Sequence, residues 1–128
     1  MPLYNLACAS TPDERESERI AQAVTRAHCD VTGAPATFVN VMFAHGYPLV
    51  SGLSISALGG VRIGGNRTPE VIERLRLALR DGIATAAGLA TAQVQVVLIG
   101  VPYDWTMEGG DVMPPPGAEQ EWLERHHR

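Results

Sequence analysis

The sequence predicts an α+β fold: two tandem β-α-β units forming one four-stranded sheet with two helices on one face. Three observations carry this. The order strand, Thr-Pro helix start, helix, glycine, strand occurs twice along the chain. Both helical segments confine their apolar residues to one stripe, and the first strand is apolar on both faces, as in a sheet interior. With 128 residues, a single domain is expected over 1–128, with halves at about 1–58 and 59–101 and a tail over 102–128.

In the first strand, Leu3 to Ala9, Leu3, Asn5 and Ala7 alternate with Tyr4, Leu6 and Cys8. Ser10 and Thr11 then offer an N-cap before Pro12, and Asp13, Glu14 and Glu16 sit where the helix dipole favours anions. A helix is expected from about Pro12 to Thr32, its stripe Ile20, Ala23, Val24, Ala27 and Val31, with Gly33 as its stop. Phe38 to Phe43 reads as a strand, followed by a stretch punctuated through His45, Gly46, Tyr47 and Pro48. Leu53 to Leu58 is a further strand. Gly59 to Arg67 carries four glycines and is expected to bend or bulge. Thr68 and Pro69 open a second helix with Ile72, Leu75, Leu79, Ile83 and Ala86 on one stripe before Gly88, and Val94 to Ile99 closes the repeat. The prolines and glycines from Pro102 to Gly117 predict loop for the tail, ordered by Tyr103, Trp105, Met107 and Trp122 over a pocket or a neighbouring subunit.

Two helices cover one face of such a sheet, yet its strands are apolar on both. The second face is expected against other copies of the chain, and closed symmetry favours a homotrimer; the alternative is a monomer with its tail folded over that face. A composition 45% apolar and 19% charged reads as a globular protein, and a net charge of −4 excludes the clustered basic surface of a nucleic-acid binder. The start lacks a basic n-region and any long apolar run, so no membrane partner and a cytoplasmic location are expected. Cys8 and Cys29 then read as free thiols, one in a strand and one near a helix end. No Cys/His set has zinc spacing, and His126 and His127 fall in the polar tail, so no metal is expected.

Several motifs stand in order: P-L-Y at the start, A-V-T-R-A-H ending in His28, G-N-R-T before the second helix, and M-E-G-G-D-V-M-P-P-P-G followed by E-W. On these the chain resembles the tautomerase superfamily, typified by 4-oxalocrotonate tautomerase, and within it the cis-3-chloroacrylic acid dehalogenase group of trimeric two-unit chains. The resemblance implies cofactor-independent chemistry on a small carboxylate substrate. It implies Pro2 as the acid/base, His28 and Arg67 as carboxylate contacts, and Glu108 as the carboxyl group that activates water or handles a proton. The family sets two arginines around a short R-x-G-R turn where this chain reads R-I-G-G-N-R, so Arg62 matches once the extra residues loop out. A tyrosine that assists water activation in the dehalogenases falls on Val97, with Tyr103 five residues downstream.

The residues carry a physical reading of their own. Removal of Met1 leaves Pro2 with a secondary amine, and an α-amino group titrates near about 7.7 to 8.0, where it both takes and gives protons. His28 lies about 80° from Ile20 on the helix, at a pocket mouth or merely at the helix end. Arg67 offers paired donors to a carboxylate just ahead of helix amides, or is a solvated charge. Glu108, beside Trp105 and Met107, is a raised-pKa carboxyl or an ordinary surface one. Arg74, Arg76, Arg80 and Glu73 read as the solvated side of the second helix, Trp122 as a tail anchor, and Asn40 as facing either the site or the sheet partner.

The leading expectation is tautomerisation of a keto, enol or unsaturated carboxylate, with Arg67 and His28 as the cations that hold the carboxylate. The alternative is hydration or hydrolytic dehalogenation of a haloacrylate-type acid, with protonated Pro2 as acid and Glu108 activating water. If Met1 is retained, Pro2 is an amide and a non-catalytic binding protein is expected instead.

Overall fold

The computed structural model describes residues 2–45 and 48–126. Loss of Met1, the turn at Gly46 and Tyr47, and the chain end at His127 and Arg128 lie outside the described residues. The architecture is α+β. Strands β1 (Leu3–Cys8), β2 (Asn40–His45), β3 (Ile55–Ile63) and β4 (Val94–Pro102) form a mixed sheet in the order β2-β1-β3-β4, so β1 is interior as its two apolar faces predict. β1 is parallel to β2 and antiparallel to β3, which is parallel to β4.

Helices α1 (Glu14–Thr32) and α2 (Pro69–Ala87) pack side by side on one face. Thr68 caps α2 by accepting from the Val71 amide, Pro69 occupies its first turn, and Gly88 ends it at a φ of 69°. α1 starts two residues later than expected. Asp13, not Ser10 or Thr11, takes the N-cap, because its carboxylate reaches the Glu16 amide at 2.8 Å. Ile20 and Val24 of α1 meet Leu75, Leu79 and Ile83 of α2 over Tyr4, Leu6, Ala57, Val61 and Val96 of the sheet. Each large aliphatic side chain there contributes roughly 1.5–3 kcal/mol through burial.

Two strands depart from expectation for tertiary reasons. Phe38 is not in β2, since Ala36–Phe38 forms a short 3-10 turn that sends its ring toward Met113 and Trp122. Gly59 and Gly60 do not bend the chain; they lie within β3. Gly59 pairs with Tyr4, and a Cβ there would stand 2.5 Å from the Tyr4 ring. The glycine makes room for an aromatic ring on the neighbouring strand.

The tail is also more regular than its prolines suggest. A 3-10 turn, Tyr103–Trp105, precedes a hairpin of β5 (Met107–Glu108) and β6 (Asp111–Val112), turned by Gly109 and Gly110 at φ of 60° and 86°. After the proline run comes α3 (Glu119–His126). Trp122 donates its indole N–H to the Val112 carbonyl at 2.9 Å and buries against Phe38 and Met113, the anchor its position predicts. This second cluster lies against the Arg62 end of the sheet.

The rest of the open face is partly exposed among the described residues. Leu3, Met42, Leu58, Val97 and Ile99 lie on it in cross-strand rows, each 44 to 50% exposed. Asn40 belongs to the same face, opposite Leu3. Cys8 in β1 and Cys29 near the end of α1 are free thiols. No helix among the described residues is long and apolar enough to cross a membrane.

Candidate active site

The strand directions bring six chain ends to one edge of the molecule. The starts of β1 and β2, the ends of β3 and β4, the end of α1 and the start of α2 all converge there. Between Arg62 and Arg67 the chain makes a tight turn. Gly64 and Gly65 adopt φ of 96° and 54°, and the Arg67 amide closes the turn on the Gly64 carbonyl at 2.9 Å. A Cβ on Gly65 would strike the Pro116 carbonyl, so the tail seats directly on this turn.

The turn sets the two arginines on one carboxylate. Arg62 and Arg67 donate Nη2 to the same Glu119 Oε1 at 2.9 and 2.8 Å, and Glu119 Oε2 accepts the Gly117 amide at 2.9 Å. All three side chains are buried. Arg62 also donates to the Pro114 carbonyl and lies over the Phe38 ring, while Arg67 reaches the Thr32 carbonyl and Asn66 Oδ1. Burial opposes the charge on Glu119, but the backbone amides of Glu119 and Gly117 and the two guanidiniums outweigh it and hold its pKa below the usual carboxylate range. Glu119 is therefore an anion between two cations.

His28 is not the cation expected from the sequence. It is 2% exposed on the inner side of α1, and burial, then the charges of Arg67 and Arg62, push it down from its ordinary 6.5 to about 3. At neutral pH it is a neutral imidazole. Its Nδ1 shares a 2.6 Å hydrogen bond with the Tyr4 hydroxyl, and its Nε2 is buried without a partner. Burial raises the Tyr4 pKa, so the phenol keeps its proton. When Tyr4 donates in that hydrogen bond to Nδ1, Nε2 carries the ring hydrogen and is a buried, unspent donor.

A pH dependence follows from this neutral state. The unfolded chain binds the His28 proton below pH 6.5 and the folded chain does not until about 3. The His28 contribution to stability is thus expected to be whole above that window and to be lost as pH drops through it. His28→Gln should flatten this dependence in urea unfolding, and an unchanged dependence would show that another group carries it.

Pro2 is buried at the start of β1, two residues before Tyr4, and its carbonyl accepts the Asn40 amide at 3.0 Å. Glu108 is half-buried on β5, close enough for its charge to raise the Arg62 pKa. Val97 lies on the open sheet face. Arg76 pairs with Glu73 and Arg80 with Asp81 on the outer side of α2, the solvated role their positions predict. Among the described residues no cluster of three His, Cys, Asp or Glu could hold a metal.

Sequence reasoning missed Glu119, Tyr4 and Asn66. Nothing local separates Glu119 from Glu121. The available signal was the arginine pair itself, since two buried guanidiniums require a counter-ion.

No family model matches the chain, and no curated protein matches it in sequence. Solved structures do. N1, a member of the cis-3-chloroacrylic acid dehalogenase (cis-CaaD) family, superposes with a TM-score of 0.80 at 23% identity, covering 95% of this chain and 90% of that one. A wild-type fused 4-OT, solved as a symmetric trimer, gives 0.72 at 22% identity over 87% and 94% of the two chains. Macrophage migration inhibitory factor of Toxoplasma gondii gives 0.70 at 16% identity over 87% and 99%. The likeness covers most of this chain, which has the fold of the tautomerase superfamily.

Proposed function

We propose that this chain is a cofactor-independent tautomerase that moves a proton on a small keto, enol or unsaturated carboxylate, with the amine of Pro2 as acid and base once Met1 is removed. The observation that supports it is the convergence of the Pro2 strand start, the unpartnered His28 Nε2 and the Arg62–Arg67 pair at one sheet end. The amine takes a proton from an enol oxygen or an acidic carbon, and the electron pair moves through the conjugated system. The same proton returns to the other terminus. Arg67 and Arg62 hold the carboxylate, while His28 contributes a neutral N–H rather than a positive charge.

Hydration or dehalogenation of a haloacrylate is the second reading, favoured by the similarity to a cis-CaaD family member and by the bearing of Glu108 on Arg62. Against it, the position that matches the family tyrosine is Val97, which has no polar atom to assist water. Phenylenolpyruvate ketonisation and 3-chloroacrylate turnover, run on the same preparation, separate the two. Ketonisation is expected to be faster; faster halide release would reverse the order.

The active form is a homotrimer whose sheets face inward. The partly exposed row of Leu3, Met42, Leu58, Val97 and Ile99 supports this, as does a structural relative solved as a symmetric trimer. Leu58→Asp, at the middle of that face, is expected to reduce the species in sedimentation equilibrium from three chain masses to one. A wild-type protein that sediments as one chain contradicts the assembly. A reducing cytoplasm, where Cys8 and Cys29 stay thiols, suits this reading.

A further inference from the structure

We propose that Glu119 is an internal occupant of the anion site, and that a carboxylate ligand reaches Arg62 and Arg67 by displacing Glu119 together with α3, which acts as a lid. This rests on the reading that the arginine pair takes a substrate carboxylate. The two guanidiniums converge on a single oxygen, Glu119 Oε1, as they would on a carboxylate ligand. Their other terminal nitrogens are already committed, Arg62 Nη1 to Pro114 and Arg67 Nη1 to Thr32 and Asn66. The donors aimed at Glu119 are therefore those a ligand needs. His28 Nε2, buried without a partner in the field of the same arginines and Glu119, gives a second and independent sign of a missing polar ligand.

The lid can move as a unit. α3 is eight residues long, follows Gly117 at a φ of 99°, and packs through Trp122 on Phe38 and Met113, a cluster distinct from the main core. Such a small satellite cluster opens at less cost than the sheet and long helices. Opening alone strands two buried cations; opening with an anion exchanges one carboxylate for another. Anion binding and lid opening are thus coupled, and the opening cost weakens the apparent affinity.

Trp122 reports the movement. In a Trp105→Phe background it is the remaining tryptophan, and saturating acrylate, at ionic strength matched with chloride, is expected to red-shift its emission. Adding Glu119→Gln should tighten acrylate binding about tenfold, because the competing charge is gone. Equal affinity in the two proteins, or binding with no change in Trp122 emission, overturns the lid and leaves the arginine site standing. No acrylate binding by either overturns both. If Glu119→Gln does not fold, hydrogen exchange in wild type decides: acrylate should speed exchange over 119–126, and unchanged exchange there overturns the lid.

Discussion

Pro2→Ala is expected to lower kcat/KM for ketonisation by about 10²-fold, toward the lower end of what positioned acid–base groups contribute. The substitution leaves an amine of similar basicity at the chain start once Met1 is removed. What it takes away is the ring, which makes the amine secondary and ties the nitrogen rigidly to its own Cα where β1 enters the sheet. Pro2 is buried and tied through its carbonyl to Asn40, so the strand start is positioned by the backbone and the loss reads out in the amine. Rates equal to wild type would show that the proline ring is not needed and leave the amine itself to be tested by titration.

Glu119→Ala is expected to cost about 3–5 kcal/mol of stability in urea unfolding, because it leaves two buried guanidiniums sharing no anion. Arg62, Arg67 and Glu119 are 4, 5 and 4% exposed, so water does not easily replace the lost carboxylate. Exchanging all three for apolar residues of similar size is expected to cost less than removing the carboxylate alone. Acid acts in the same direction as the mutation. Glu119 ionises below its ordinary 4.5, and the stability it supplies is present above that value and lost as pH falls through the lower folded pKa. A cost under about 1 kcal/mol would show that the cluster relaxes into solvent when the carboxylate is removed.

Much of the frame was legible because its signals are local. Thr68, Pro69 and Gly88 mark both ends of α2, Gly33 marks the end of α1, and the two-sided apolar pattern of Leu3 to Cys8 placed β1 inside the sheet. What escaped depends on distant partners. Gly59 read as a bend because nothing in its own segment says that Tyr4 fills the space above it. The prolines of the tail hid α3, whose order comes from Trp122 meeting Phe38 far back in the chain. Arg62 and Arg67 were named from sequence, but their carboxylate lies 57 and 52 residues away with no spacing rule to announce it. His28 was also named, whereas its charge follows from burial and from those arginines.

The most direct measurement is the pH titration of the Pro2 nitrogen by 15N NMR on proline-labelled protein, set beside the pH profile of kcat/KM. The expected result is a free amine that titrates at or somewhat below about 7.7 to 8.0, with the same pKa governing ketonisation. A Pro2 nitrogen that stays an amide because Met1 is retained in the active protein, or an amine whose titration leaves the rate unmoved, would contradict the proline mechanism.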